Sequence, residues 1–277
     1  MGFLLYFVPK NYLSYFVGFL MHLPLPGFLR PWSILTFAKM YQINLEEAEK
    51  PYDQYNSIGD FFVRRLKPGA RPIDQSVLVH PADSQITQLE SIQDGKLIQA
   101  KGKTYSLSDF IGRPQAQEEW KNGFFVTYYL CPTDYHRVHS PVDGEIIEVT
   151  HIPGQLWPVN QWSVENIDQL FSINERVVLR IRTSQGIVAL VFVGATNVGK
   201  ISLSFDQTIV SNNLKDHQPV HKVYSQPISI QKGQELGMFH MGSTVVMVYP
   251  EVYKVDLTGL QSRFQNQKVK MGQGLVL

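Results

Sequence analysis

The sequence predicts an α+β fold with a β-rich antiparallel core, peripheral helices and an N-terminal helical segment. Three observations support this prediction. Most of the chain beyond Ile73 consists of short β-prone runs separated by turn signals. Helical spacing in that part is confined to short stretches, whereas residues 1–70 carry apolar and aromatic residues at helical spacing. With 277 residues, the chain can bury a substantial core.

The first 45 residues contain three cations and no Asp or Glu, and most of residues 3–29 are apolar or aromatic. Prolines divide this stretch into pieces shorter than the roughly 20 residues that a spanning helix needs. Lys10 lies inside the apolar run and no A-x-A site follows it, so a cleaved signal peptide is not indicated. Short aromatic-rich helices with flanking cations are typical of a segment in the lipid headgroup layer. Packing of these helices against the rest of the protein is the alternative, and both stay open here.

Helical spacing from Pro31 to Glu49 predicts a helix that ends before Pro51. A second, short helix is predicted after Ser57, because Ser57-Ile-Gly-Asp60 resembles a capping box with Asp in the place of Glu. The loop that follows closes the helical part. We therefore expect a division of the chain into residues 1–70 and residues 71–277.

Strands are predicted over residues 124–130, 145–150, 177–182 and 187–193. Residues 183–186 should form a hairpin turn between the last two. Two further runs within residues 237–248 meet at Gly242-Ser243, which predicts a hairpin that presents these residues at or near its turn. Short helices are expected over residues 106–111, 115–121 and 164–171.

Charge and cysteine content exclude several classes of protein. The net charge of +1, without a long basic run, argues against a nucleic-acid partner. The single cysteine, Cys131, cannot form an internal disulfide, and no CxxC pair suggests a zinc or redox site. Stability should therefore come from the core, in a reducing compartment.

Three local clusters contain residues that could carry chemistry: Pro81-Ala-Asp-Ser84, Tyr135-His-Arg-Val-His139 and Met241-Gly-Ser-Thr244. Each is ordinary alone, since Gly-Ser favours turns and Asp83 could cap a turn. His136 and His139 have the spacing HxxH, but no third ligand is marked, so no metal is expected. Structural hydrogen bonding or acid-base chemistry is favoured for both histidines.

The order of these clusters and the motifs around them changes their interpretation. From about Phe61 to Gly272 the chain resembles the bacterial phosphatidylserine decarboxylase family. The resemblance rests on Phe61-Phe-Val-Arg64, Arg71-Pro-Ile-Asp74, Pro81-Ala-Asp83, Gln99-Ala-Lys-Gly102, Tyr135-His-Arg-Val-His139, Pro153-Gly154, Asn174-Glu-Arg176, Val193-Gly-Ala-Thr196, Lys232-Gly-Gln-Glu-Leu-Gly237 and Gly242-Ser-Thr244. Two positions depart from the family pattern: Ser84 replaces the usual Gly, and Met241 replaces the usual Leu.

The resemblance implies a proenzyme that cuts itself between Gly242 and Ser243 into chains 1–242 and 243–277. Ser243 Oγ would attack the carbonyl of Gly242, where the lack of a β-carbon allows a strained turn and close approach. The resulting ester would be eliminated to dehydroalanine, and hydrolysis with loss of ammonia would leave a covalent pyruvoyl group derived from Ser243. This group would replace pyridoxal phosphate, because it forms a Schiff base with the serine amine of the lipid and accepts electrons as CO₂ leaves.

The resemblance also implies roles for individual residues. Asp83 and His139 would activate Ser243 for self-cleavage, as a carboxylate and a base do in a catalytic triad. His136 is the candidate general acid that protonates the lipid carbon after decarboxylation. Both histidines can line one site only if residues 135–139 form a turn, because on a strand they would point to opposite faces.

The implied setting is phospholipid biosynthesis, in which phosphatidylserine becomes phosphatidylethanolamine. The enzyme would be peripheral at the cytoplasmic face of the cell membrane and would be a heterodimer of its own two chains, with further dimerisation left open.

Two alternatives remain at this point. Pro141-Val-Asp-Gly144 and Lys232-Gly-Gln-Glu-Leu-Gly237 also resemble pieces of biotinyl and lipoyl carrier domains, but those domains present a lysine at a hairpin tip. The other alternative is a pyruvoyl decarboxylase for a soluble amino acid; the apolar N-terminus favours the lipid.

Overall fold

The computed structural model describes residues 8–100, 102–196, 200–209, 211–212 and 218–276, except for the side chain of Ser243. Its architecture is α+β with a large antiparallel sheet, which confirms the predicted fold class. The strands are β1 (Leu78–Val79), β2 (Ser84–Ser91), β3 (Lys96–Ala100), β4 (Lys103–Ser106), β5 (Phe124–Leu130), β6 (Arg137–His139), β7 (Gly144–Ile152), β8 (Arg176–Thr183), β9 (Gly186–Val193), β10 (Ile201–Leu203), β11 (Val220–Ile230), β12 (Glu235–Phe239), β13 (Ser243–Tyr249), β14 (Lys268–Val269) and β15 (Gly274–Val276).

Short helices surround the sheets. They are α1 (Lys10–His22), α2 (Arg30–Met40), α3 (Ile58–Phe62), α4 (Leu107–Ile111), α5 (Ala116–Glu119), α6 (Gln161–Asn166), α7 (Leu170–Ile173) and α8 (Leu257–Phe264). Among the described residues, no helix is both long enough and apolar enough to cross a bilayer.

The central sheet has eight strands in the order β11-β7-β8-β9-β13-β5-β2-β14, and its neighbouring strands are antiparallel. Strand β13 lies in the middle, between β9 and β5. A separate three-stranded sheet has the order β10-β12-β6. The main hydrophobic core fills the space around these sheets, and all residues of β13 from Val245 to Tyr249 are buried in it.

The predicted strands over residues 124–130, 145–150, 177–182 and 187–193 are confirmed, as β5 and within β7, β8 and β9. The hairpin over residues 183–186 is also confirmed, because Thr183 and Gly186 pair at its base. The start of α3 agrees with the capping prediction: Ser57 Oγ accepts a hydrogen bond from the Asp60 amide, 3.0 Å away. Asp60 in turn accepts from the amide of Asn56 rather than of Ser57.

Two predicted helices differ from the structure. The helix expected from Pro31 to Glu49 ends at Met40, because Gln42 adopts a positive φ of 53° and the Ile43 amide turns back to the Ala38 carbonyl. The helix expected over residues 164–171 is divided into α6 and α7, because Gln169 also has a positive φ.

The prediction of a hairpin within residues 237–248 is wrong. Strand β12 pairs with β10 and β6, whereas β13 pairs with β5 and β9, so the two runs belong to different sheets. Gly242 lies in the connection between the sheets, and Ser243 is the first residue of the central strand.

A second, smaller hydrophobic cluster lies in the N-terminal region, and we call it the N-terminal cluster. Its buried members are Ile34, Phe37, Ala38, Ile43, Tyr55, Phe61 and Phe62. Met241 packs against this cluster, although it is distant in sequence. The division of the chain near residue 70 stays a prediction.

Candidate active site

The Gly242-Ser243 peptide lies where two sheets meet. Ser243 is opposite Leu130 of β5, and the next residue, Thr244, is opposite both Tyr129 and Val193. The backbone of Gly242 is not in the left-handed region, so the strained turn expected there is not observed. A β-carbon added to Gly242 would stand 3.4 Å from the Leu130 carbonyl oxygen and 3.7 Å from His136 Nε2, which are ordinary contact distances.

His136 is the histidine that faces Gly242. Its ring packs on Phe62, with the centroids 4.2 Å apart, and Nδ1 lies 2.9 Å from the Asp134 carbonyl oxygen. A carbonyl only accepts, so Nδ1 carries the hydrogen and Nε2 carries a lone pair. Nε2 is buried and has no hydrogen-bond partner among the described residues.

The pKa of His136 is lowered to about 3, chiefly by burial; the hydrogen bond to the Asp134 carbonyl opposes this shift, and the nearby charge of Arg64 adds to it. His136 is therefore neutral at physiological pH. Its unpaired Nε2 is a proton acceptor directed at the Gly242-Ser243 region.

His139 is the last residue of β6 and has both ring nitrogens occupied. Nδ1 donates to the Gly233 carbonyl oxygen at 2.8 Å, so Nε2 must accept from the Tyr135 hydroxyl at 3.2 Å. Burial is the largest cause of its lowered pKa. The backbone amide of His139 donates to the Pro81 carbonyl, which brings this strand next to the segment that contains Asp83.

Asp83 is held by a second set of partners. Arg71 Nε and Nη2 donate to its carboxylate at 2.9 and 2.6 Å, and the Met271 amide donates at 2.9 Å. Arg71 Nη2 also donates to Glu47 at 2.7 Å, which ties the N-terminal region to this network. The sequence did not predict that Arg71 binds Asp83, although Arg71 belongs to another motif of the family resemblance.

The structure thus brings His136 next to Gly242 and brings the backbone of His139 against Pro81, two residues before Asp83. No hydrogen bond joins the Asp83 carboxylate to the His139 ring in the described part of the chain. The side chain of Ser243 lies outside that part. The relay of Asp83, His139 and Ser243 therefore stays a prediction, as does the general-acid role of His136. His136 precedes β6 rather than lying on it, so the alternation of side chains along a strand does not force the two histidines onto opposite faces.

Both positions that depart from the family pattern are accommodated. Ser84 is buried at the start of β2, and its hydroxyl donates to the Ala82 carbonyl at 3.2 Å. Met241 packs on the N-terminal cluster.

Two cavities adjoin the site. The first, of about 250 Å³, reaches Gly242 and has a largely apolar wall that includes Phe37 of α2 and Tyr41, which follows the end of α2. Sequence reasoning missed these two residues, because their helical spacing indicates only that they face some apolar partner. The second cavity, of about 610 Å³, is lined mainly by amide and hydroxyl side chains and includes Thr244, whose buried Oγ1 has no described partner. Tyr129, Val159 and Asn160 border both cavities.

Comparison with known proteins agrees with the order of the motifs. Residues 58–277 match the family model described as phosphatidylserine decarboxylase. Several relatives carry the name phosphatidylserine decarboxylase proenzyme. That of Methylobacillus flagellatus is 42% identical over 248 residues, which cover 89% of this chain and 88% of the relative. That of Myxococcus xanthus is 39% identical over 244 residues (87% and 86%), and that of Brevibacillus brevis is 37% identical over 276 residues (98% and 95%).

Proposed function

The chain belongs to the phosphatidylserine decarboxylase family, and from this premise we propose that it is a proenzyme that cuts itself between Gly242 and Ser243 and then converts phosphatidylserine to phosphatidylethanolamine and CO₂. The observation that carries the proposal is the position of His136. An unpaired, neutral imidazole nitrogen faces the peptide that we propose is cut, inside a buried site.

The proposed first reaction is the cleavage. Ser243 Oγ attacks the Gly242 carbonyl carbon, its proton passes to a histidine, and the Gly242-Ser243 amide becomes an ester. Elimination breaks the bond between Cβ and Oγ of Ser243, and hydrolysis releases ammonia. In the relay that we propose, His139 Nε2 exchanges the Tyr135 hydroxyl for that of Ser243, and Asp83 stabilises the positive ring.

One observation favours a second assignment of the cleavage base. His136 Nε2 already faces Gly242 and needs no partner exchange, whereas His139 Nε2 is occupied by Tyr135. If His136 is the base for cleavage, His139 instead fixes the loop at Gly233. The histidine variants described in the Discussion separate these assignments.

The residues present fit a pyruvoyl group at position 243, because a buried, unpaired nitrogen adjoins the preceding residue, Gly242, and a cavity opens beside that residue. When formed, the pyruvoyl group supplies an electron sink for the departure of CO₂. The work of this chain is then to move protons. Neutral His136 Nε2 accepts a proton from the substrate ammonium group, which must lose it before its nitrogen can react. The same nitrogen later returns the proton to the carbon that CO₂ has left.

The lowered pKa suits the second half of this proton transfer, whereas it makes Nε2 a weak base for the first half. Nε2 is unprotonated in the resting site and can accept a proton, and once protonated in a buried site it is a strong acid that gives the proton up readily. His136 is thus proposed as the acid for the decarboxylation, in agreement with the prediction from sequence.

We propose that the substrate reaches this site from a membrane surface. Helix α1 turns a row of large apolar side chains away from the protein, including Tyr12, Phe16 and Phe19, which are 65%, 56% and 56% exposed. The apolar cavity at Gly242 is lined in part by the neighbouring helix α2. This arrangement favours a peripheral enzyme at the cytoplasmic face of the cell membrane, acting in phospholipid synthesis as a heterodimer of chains 1–242 and 243–277.

The test is release of CO₂ from carboxyl-labelled phosphatidylserine in vesicles. We expect release by the full-length protein, none from free serine, and loss of activity after treatment with phenylhydrazine, which reacts with carbonyl groups. His221→Ala provides a matched control, because this exposed histidine on β11 is not part of the site. Equal activity on free serine would favour a soluble amino acid as substrate, and full activity after phenylhydrazine would contradict the pyruvoyl group.

A further inference from the structure

The two residues that precede Gly242 are both held by the N-terminal region. Met241 packs against the N-terminal cluster, and the ring of His240 lies against that of His22, with centroids 5.1 Å apart. His22 is the last residue of α1. The segment that leads into the cleavage site is therefore in contact with helices that lie more than 170 positions earlier in the chain.

Each hydrogen bond at this contact has a defined donor and acceptor. His22 Nδ1 lies 2.8 Å from the Gly18 carbonyl oxygen and must donate to it, so His22 Nε2 is an acceptor. His240 Nδ1, at 3.1 Å, must therefore donate to His22 Nε2. His240 Nε2 is then left to accept from the Ser202 hydroxyl at 2.9 Å. In this arrangement each of the four ring nitrogens has a defined partner.

Burial, followed by the neighbouring His22, Lys200 and Arg137, lowers the pKa of His240 to about 3, which agrees with a neutral ring. On its other side, the His22 ring is packed against α3. A β-carbon added to Gly59 would stand 2.7 Å from two atoms of that ring, so only glycine leaves room for it. His22 is thus fixed between α3 and the segment before Gly242.

The docking of α1 explains how His22 comes to this position. Lys10, Ser14 and Gly18 are the buried residues of α1, and His22 continues the same row at intervals of four. At the start of the helix, Asn11 Nδ2 donates to the Gly154 carbonyl at 2.9 Å, and Lys10 Nζ stands 3.7 Å from the Trp157 ring centroid. A displacement of α1 would break the His22–His240 bond together with these contacts.

We propose that His22 is a positioning residue for the reaction centre: its hydrogen bond to His240 holds the segment His240-Met241-Gly242, so that cleavage depends on α1 being docked. This inference rests on the proposed self-cleavage at Gly242-Ser243. Through this hydrogen bond, α1, whose exposed face is proposed to contact lipid, is connected directly to the reacting peptide.

The first test measures the rate of self-cleavage of the full chain by gel after cell-free synthesis. His22→Ala should slow cleavage about three- to tenfold, which corresponds to the loss of one hydrogen bond. His22→Gln should stay within about twofold of the wild type, because its amide oxygen can accept from His240 Nδ1. The double variant with His240→Ala should be no slower than the slower single variant, since both lose the same bond. His221→Ala is the control and should have no effect.

A second measurement detects the positioning without relying on cleavage. In the uncleavable Ser243→Ala background, adding His22→Ala should speed amide hydrogen exchange in residues 239–242, whereas adding His22→Gln or His221→Ala should not. Wild-type cleavage rates in His22→Ala, with unchanged exchange, would overturn the inference. Equal slowing by His22→Ala and His22→Gln would also overturn it, because packing rather than the acceptor nitrogen would then be responsible. An uncleaved wild type would instead contradict the proposed function.

Discussion

Helix α1 and strand β13 bury opposite kinds of side chain. In β13, the residues from Val245 to Tyr249 are apolar and fully enclosed. In α1, the buried positions are Lys10, Ser14 and Gly18, while most of the large apolar residues face outward. The strand therefore gains its stability from the protein core, whereas the outer face of the helix lacks any described partner within the chain. Apolar residues serve folding in β13, and we propose that those on the outer face of α1 serve association with a membrane surface.

The largest expected effect comes from removing the proposed nucleophile at the start of β13. Ser243→Ala removes the nucleophile at the first position of β13, so only uncleaved chain should remain and no CO₂ should be released. A gel and the CO₂ assay measure both outcomes. The fold should persist, as a control by circular dichroism would verify. Any processed chain at the same position in this variant would contradict the mechanism.

The histidine variants sharpen the assignment within the site. His139→Ala or Asp83→Ala should leave mostly uncleaved chain, because the proposed relay is lost. His136→Ala should still yield cleaved chain, but its decarboxylation rate should fall on the order of 10²–10⁴-fold with the loss of the proton donor. If His136→Ala blocked cleavage while His139→Ala matured and decarboxylated normally, the second assignment of the cleavage base would replace the first.

A matched pair of phenylalanine variants compares the buried sheet with the exposed face of α1. Phe192 of β9 is fully buried, so Phe192→Ala should lower the free energy of unfolding by about 3–5 kcal/mol. Phe16 is 56% exposed, so Phe16→Ala should change it by no more than about 0.5 kcal/mol. Vesicle flotation should show the reverse order, with binding weakened about tenfold by Phe16→Ala. Unchanged flotation would reassign the outer face of α1 to a protein partner.

Acidification should destabilise the fold through its buried histidines. His80 and His136 are buried, and desolvation is the largest cause that lowers the pKa of each to about 3. Between this value and the ordinary pKa of 6.5, the unfolded chain binds more protons than the folded chain, so stability falls as the pH falls through this window. We expect these two groups to lower the free energy of unfolding by about 4 kcal/mol between pH 7 and pH 5.

Urea denaturation at the two pH values measures this loss, and His80→Gln should reduce it. An equal loss in His80→Gln and wild type would show that His80 takes no part in the pH dependence.

Much of the fold could be predicted because its signals are local. The strands β5, β7, β8 and β9 follow from β-prone runs, and the turn between β8 and β9 from its residues. The partners of β12 and β13 could not be predicted, because adjacent runs resemble a hairpin whether they pair with each other or with distant strands. Pairing is decided by burial of both faces, which a local pattern does not reveal.

For the candidate site, too, the local clusters could be predicted but their contacts could not. The clusters around Asp83, His136 and Gly242 could be found by their order in the chain, but the contacts between them depend on the tertiary fold. His136 opposite Gly242, Arg71 on Asp83 and Phe37 in the adjacent cavity all join segments that are far apart in sequence. The inward polar row of α1 was also hidden, since the aromatic residues dominate its sequence.

The mass of the intact purified protein tests the central claim most directly. We predict two chains, residues 1–242 and residues 243–277, with the second lighter by one molecule of ammonia than the product of simple hydrolysis, because its first residue has become a pyruvoyl group. The same sample must release CO₂ from phosphatidylserine. A single full-length species in an active sample, or a second chain that retains an ordinary N-terminal serine, would contradict the account.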